Sequence, residues 1–349
     1  MGIARTIADL ARRTWRAKTS VSSGLNRQLP EPPTVEAVPP TCPPEPDPNQ
    51  STELAAPEID TEGFTPDPLV LAQAEGRLIV TEYPYRPRPR RFGATASGRR
   101  LTDRLSAADP SVAEWLDAAA GFSEDLKRIP VKGEAGDPNP AWINGMLPGL
   151  DSLLLYTAIR LHKPKTYLEI GSGNSTKFVR RAIEDGGLST RIVSIDPHPR
   201  AEIDALCDIV VRSPIEDLSQ SKVAGYLTAG DILFIDNSHR SFPNSDVTVV
   251  FTELLPELSP GVFYGIHDIW LPYDYPSYWM DRFYNEQYLL AAYLLGGAGG
   301  DEIIFPAYHV FRREAFKAAI RNIFDGPSFR GVARHGATFW MRRGGEERS

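Results

Sequence analysis

Between residues 149 and 268, short apolar runs alternate with amphipathic ones so regularly that few folds remain open. The runs "TYLEI", "RIVSID", "DIVVRS", "DILFID" and "GVFYGIHD" read as strands. The segments "GLDSLLLYTAIRLH", "STKFVRRAIED", "PRAEIDALC", "PIEDLSQSKVAGYL" and "SDVTVVFTELLPEL" read as the helices before and between them. Strands that are apolar almost throughout need cover on both faces, and crossovers between parallel strands return with one hand. The pattern therefore predicts an α/β fold, a doubly wound, Rossmann-like and mostly parallel sheet of about seven strands with helices on both faces. Beyond a helix at "DRFYNEQYLLAAYLL", the runs "EIIFPAYHVF" and "GATFWMRR" supply two last strands, joined by a long return that suits antiparallel pairing at one sheet edge.

The rest of the chain reads differently. Residues 1–27 open with "MGIARTIADLARRTWRAKTS", in which Ile3, Ile7, Leu10 and Trp15 recur at helical spacing among arginines. Docking on a membrane surface and a solvated, frayed terminus are both open readings, the second being the commoner origin of such a segment. Residues 28–68 are rich in proline and acids and nearly free of large apolar side chains, which describes a disordered linker. Residues 69–142 form an N-terminal extension with a strand or two near "LVLAQAEGRLIVTEYPY". A basic loop follows at "RPRPRRFGATASGRR", then a helix from "DPSVAEWLDAAAGF" with Asp109 as its N-cap. Residues 143–349 are the main domain. The 349-residue chain is 42% hydrophobic, enough for a large core. A formal charge of -7 gives no general attraction to nucleic acid, and no basic patch is evident in the body. Cys42 and Cys207 are too far apart for a metal spacing or a disulfide framework, which suits a reducing, cytoplasmic setting.

In an open α/β sheet, ligands bind beyond the carboxyl ends of the strands. The first strand ends in Glu169 and the elbow Gly171-Ser172-Gly173-Asn174, the second in Asp196, the third in Ser213, the fourth in Asp236, and the fifth in His267 and Asp268. Asp196 follows the elbow by a little over twenty residues, the place for an acid that accepts hydrogen bonds from ribose hydroxyls. A dinucleotide fold would want a third glycine where Thr176 stands, and Glu169 near a pyrophosphate would repel it. A carboxylate beside a cationic amino-acid ligand is favourable instead, so the elbow points to a sulfonium cofactor.

In this order and spacing, "LEIGSGNSTKF", "VSIDPHP", "DILFIDNSHRS" and "GIHDIWLPYDYP" resemble the class I S-adenosylmethionine-dependent methyltransferases, in particular the branch containing small-molecule and sugar O-methyltransferases. The likeness runs over residues 143 to 343. It implies that Glu169, Gly171, Ser172, Gly173, Asn174 and Ser175 surround the methionine part of the cofactor. It likewise implies that Asp196 holds the ribose, that His198 touches the adenosine, that Ser213 and Ile215 border the adenine, and that Asp236 closes the site. His239 stands where relatives place the base that deprotonates an acceptor hydroxyl, the acceptor being a small molecule or glycan. Relatives also hold magnesium with carboxylates of the fourth and fifth strands. Asp236 and Asp268 match two such positions, while His267 occupies a third as an imidazole, a poorer partner for a hard divalent cation. The aromatic segment "WLPYDYPSYWMDRFYNEQY" after Asp268 is either core or a lid over the acceptor. A nicotinamide-dependent oxidoreductase and a non-catalytic cofactor-binding scaffold recruited through the proline-rich arm stand as alternatives.

Overall fold

A computed structural model describes residues 83–345 apart from 135 and 200–202, together with 71, 72 and 78. The chain divides into two units, Met1–Val80 and Thr81–Ser349, and everything described below belongs to the second. The expected N-terminal helix and proline-rich linker lie outside the described residues, as does nearly all of the strand expected at 69–85. The boundary expected at 142/143 falls inside the second unit.

Seven strands form one sheet: β1 Thr166–Ile170, β2 Arg191–Ile195, β3 Ile209–Val211, β4 Ile232–Ile235, β5 Phe263–Ile266, β6 Glu302–Pro306 and β7 Phe339–Arg342. Their order is β3-β2-β1-β4-β5-β7-β6. The first five are parallel, and β7 runs antiparallel to both β5 and β6. Connections leave β1 and β4 in opposite directions along the sheet, so a crevice opens between them at the carboxyl edge.

Helices pack around the sheet, among them α1 Ala96–Ser106, α2 Asp109–Gly121, α3 Gly149–His162, α4 Asn174–Gly186, α5 Glu286–Leu295, α6 Ala307–Arg312 and α7 Glu314–Ile323. Strand side chains alternate between two cores, as the pleat dictates. Tyr167, Ile192, Phe234 and Trp340 pack with α2, α3 and α4 on one face. Leu168, Val193, Ile235, Tyr264 and Met341 pack with Leu101 and Leu105 of α1 and with Leu290 and Leu294 of α5 on the other. The segment before residue 143 is thus built into both cores.

Several elements differ from expectation. The basic stretch becomes helical from Ala96, because the Thr95 hydroxyl caps α1 by accepting the Gly98 N–H at 3.0 Å. Asp109 does not cap α2; it is the first helical residue, and its carboxylate pairs with Arg313. The helices expected after β2 and β3 shrink, among the described residues, to 3-10 turns at Asp204–Leu206 and Ile215–Asp217 and a short helix at Gln220–Ala224. The run "EIIFPAYHVF" is strand only to Pro306, after which it turns into α6, and the long return contains α7. The helix at 246–257 widens into a π turn over Val250–Leu254, just before Pro256 withholds an N–H. No helix among the described residues is long and apolar enough to cross a membrane.

Candidate active site

The elbow after β1 is dictated by one close approach. Gly171 has φ +81°, and a Cβ placed on it would sit 1.9 Å from the Asp236 carbonyl oxygen, so only glycine lets the loops after β1 and β4 meet. Beyond it, the Ser172 N–H donates to Asp196 Oδ2 at 2.7 Å and the Ser172 hydroxyl meets that of Ser194 at 2.7 Å. Thr176, in the first turn of α4, accepts the Gly173 N–H at 3.2 Å and donates to Glu169. Glu169 is fully buried, and Tyr167 and Ser175 donate to its Oε2 at 2.9 and 3.0 Å. Burial pushes its carboxyl up to about 7 despite those donors. Glu169 therefore fastens the loop from beneath. It does not line the cleft as expected, because neighbouring hydroxyls occupy both of its oxygens.

The cleft itself, about 790 Å³ and open to solvent, lies beyond β1, β2 and β4. Of the residues expected around a cofactor, Gly171, Ser172, Asp196, His198, Ile215 and Asp236 line it, together with Glu216, Asn237, Ser238 and Asp246. Asp196 Oδ1 accepts the His198 N–H at 2.8 Å, so both carboxylate oxygens are already aimed by backbone donors. Asp246 grips Ser238 through its N–H at 2.7 Å and its hydroxyl at 2.6 Å. Gly173, Asn174, Ser175 and Ser213 are not among its lining residues. Among the described residues, four carboxylates and no lysine or arginine line the cleft, which favours cations over phosphates.

At the Asp236 end the cleft meets a buried network of acids and imidazoles. His239 Nδ1 is 2.9 Å from Glu286 Oε2, and its Nε2 is 3.3 Å from Asp236 Oδ1 and 3.4 Å from Asp268 Oδ2. His267 Nδ1 lies 3.2 Å from Asp236 Oδ1, and its Nε2 3.4 Å from Asp151 Oδ2. Burial opposes charging His239, yet hydrogen bonds to Asp236 and Glu286 and the nearby carboxylate charges outweigh it and raise the imidazole to about 10. His267 is raised well above its ordinary range against the same burial, by the charges of Asp236 and Asp268. For Asp236, burial is outweighed by the two imidazoles, which hold its carboxyl below the usual carboxylate range. Burial raises Glu286 even though His239 draws it back. Both His239 and Asp268 adopt left-handed backbone, φ +59° and +57°, strain that is tolerated where surroundings fix it. Part of that fixing is visible: the N–H of Asn285, just before α5, donates to the His239 carbonyl at 2.9 Å.

Residues 168–269 match the family model of a methyltransferase domain. The match covers the elbow, Asp196, Asp236, His239 and Asp268, and it supports S-adenosylmethionine-dependent methylation. No curated protein matches the chain. Among solved structures, an SAH-bound methyltransferase from Podospora anserina aligns over 76% of this chain and 100% of its own, at 13% identity and a TM-score of 0.37. A proposed methyltransferase from Thermobifida fusca aligns over 57% and 84%, at 14% identity and a TM-score of 0.34. The reading of the site rests on its own residues and not on these two likenesses.

The cation site expected at Asp236, Asp268 and His267 finds no support in the arrangement of these side chains. Asp236 and Asp268 are turned to the two imidazoles, and among the described residues no group of three or more acid, histidine or cysteine side chains is placed to hold a metal ion. The aromatic segment packs in part as core. Trp270 and Tyr275 are buried together, while Tyr284 sets its ring 4.7 Å from that of His239 and so walls the network. Asp151 and Glu286 were not read from the sequence as site residues. Their only signal was a carboxylate in the first turn of an otherwise apolar helix.

Proposed function

We propose that the chain transfers a methyl group from S-adenosylmethionine to a hydroxyl oxygen of a small molecule or sugar. The observation that carries this reading is the cleft's lining, which among the described residues holds four carboxylates and no lysine or arginine. S-adenosylmethionine brings an ammonium and a sulfonium to such a wall and supplies an electrophilic methyl carbon. A nicotinamide dinucleotide would bring its pyrophosphate against the same four acids, which disfavours the oxidoreductase alternative.

Asp196 accepts from the ribose hydroxyls, with Ile215 and His198 beside the adenosine. Asp236 belongs to both the cleft and the network, with 34% of its side chain exposed. It is therefore the group positioned between cofactor and acceptor. An alcohol becomes strongly acidic as its oxygen bonds to carbon, so even a carboxylate of low basicity receives the proton late in the transfer. With its imidazole raised to about 10, His239 favours the charged form at neutral pH, so in this reading it holds Asp236 ionised and aimed in place of the base role expected from the sequence. Most of the rate then comes from orientation.

Titration calorimetry with S-adenosylmethionine and with NAD tests the reading. Binding of the first alone is expected, and binding of NAD alone would sink it. In a radiolabelled methyl-transfer assay, Asp236→Asn should lower kcat by about 10² to 10⁴-fold. An unchanged rate would favour the scaffold alternative.

A further inference from the structure

Several arginines of this unit have carboxylate partners: Arg160 with Asp125, Arg180 with Asp208, Arg181 with Asp185, Arg313 with Asp109 and Arg343 with Asp301. Arg312, Arg321 and Arg334 form no ion pair among the described residues. With Lys317 they line a second cleft, about 880 Å³ and open to solvent, whose other walls are Phe311 and Ile320. No acid lines it. Lys317 does reach Glu314 at 2.5 Å, but this is an exposed contact along one helix and of little strength. Four cations from α6, α7 and the loop before β7 thus converge, although no basic patch was evident along the sequence.

Two of the guanidinia are oriented without being neutralised. Arg334 donates to the Phe324 carbonyl at 3.2 Å, and Arg312 lies 5.4 Å from the centre of the Tyr273 ring. Each keeps N–H donors in the fork that suits a phosphate oxygen pair. The cleft is also tied to the methyl-transfer end of the sheet. Pro306, where α6 begins, pairs with Phe339, which pairs with Ile266, the residue before His267. Tyr308 of α6 packs on Trp270 with ring centres 4.3 Å apart. An aromatic wall therefore runs from the acid and imidazole network to the basic cleft.

We infer that this second cleft holds a phosphate group of the acceptor, whose hydroxyl is presented to Asp236 along that wall. The word acceptor rests on the methyl-transfer reading; the anion site does not. Inorganic pyrophosphate, titrated into the full chain with and without S-adenosylmethionine, probes the site directly. Saturable binding that S-adenosylmethionine leaves unchanged is expected, with at least a tenfold weaker Kd in Lys317→Glu/Arg321→Glu. Both residues are exposed on α7, and an unchanged S-adenosylmethionine affinity shows that the variant is folded. Paired alcohols with and without a phosphate group are then offered to the labelled methyl donor. The natural chain should favour the phosphorylated member in kcat/KM, and the variant should lose that preference. Equal pyrophosphate binding by the two proteins, displacement by S-adenosylmethionine, equal turnover of the paired alcohols, or no transfer to any phosphorylated member would each overturn the inference. A chain that binds pyrophosphate in this cleft but never S-adenosylmethionine would overturn the methyl-transfer reading instead.

Discussion

The two halves of the crevice are built by opposite means. Beyond β1 and β2 the wall is short-range: Gly171, Ser172, Asp196 and His198 hold one another through backbone N–H groups, and the acids stand open to solvent. Beyond β4 and β5 it is long-range: Asp236, His239, His267 and Asp268 are locked by Asp151 from α3 and Glu286 from α5, both fully buried. The first half can admit and release a ligand, since its polar groups face water in the absence of one. The second half must stay closed, because each of its charges is stable only through the others. One half is suited to exchanging a cofactor and the other to keeping one carboxylate fixed at the point where they meet.

That meeting point is where the comparison breaks most easily. Gly171→Ala places a methyl group 1.9 Å from the Asp236 carbonyl, on backbone of φ +81°, so the loops of both halves must part. A loss of stability of about 3 kcal/mol or more is expected, together with loss of S-adenosylmethionine binding, by urea denaturation and calorimetry. A variant of native stability would mean that the loops are not joined there.

The next largest effect lies wholly in the closed half. Glu286→Gln leaves the His239 imidazolium with one carboxylate fewer in a buried setting, which should destabilise the fold by about 3 to 5 kcal/mol. The same change alters pH dependence. An imidazole raised from 6.5 to about 10 on folding contributes stability that is fully present below pH 6.5 and is lost as pH rises through 10. The natural chain should therefore lose stability steadily across that window, and the variant should show a flatter slope over it. Equal slopes would show that Glu286 does not set the charge of His239. Asp236 works in the other direction: its lowered carboxyl contributes stability above its unfolded value that is lost in acid.

How much of this was legible follows the same division. The sheet could be read because fully covered strands are apolar throughout and flanked by amphipathic helices, and the open half of the site could be read because its residues follow their strands directly. The role of Glu169 was misread for a local reason. Charge alone suggested a ligand, whereas the Tyr167, Ser175 and Thr176 hydroxyls, each within seven positions of it, had already taken its oxygens. Glu286 lies 47 positions from His239, and Asp151 lies 186 from Ala337, whose N–H it accepts at 2.9 Å. No pattern along the chain marks such partners. The charge state of His239 was hidden for the same cause, since it depends on the distant Glu286. Strand ends were lost where proline intervened: Pro306 stopped β6 and began α6, against a run that looked extended to Phe311.

The smallest expected effect sharpens the comparison from the open side. Asp196→Asn keeps the size and one carbonyl oxygen of the side chain but removes its charge, and it replaces an acceptor by a donor facing either the Ser172 or the His198 N–H. Its surroundings are solvated, so the fold should lose no more than about 1 kcal/mol. The ribose, in contrast, loses an ionised acceptor, and a hydrogen bond to a charged group is worth about 1.5 to 3 kcal/mol. S-adenosylmethionine affinity should therefore fall by roughly ten- to a hundredfold with little change in melting temperature. If the halves are as distinct as their construction implies, the pH slope set by His239 should survive this substitution unaltered. A flattened slope in Asp196→Asn would show that the open wall and the closed network titrate as one unit, and the division between them would fail.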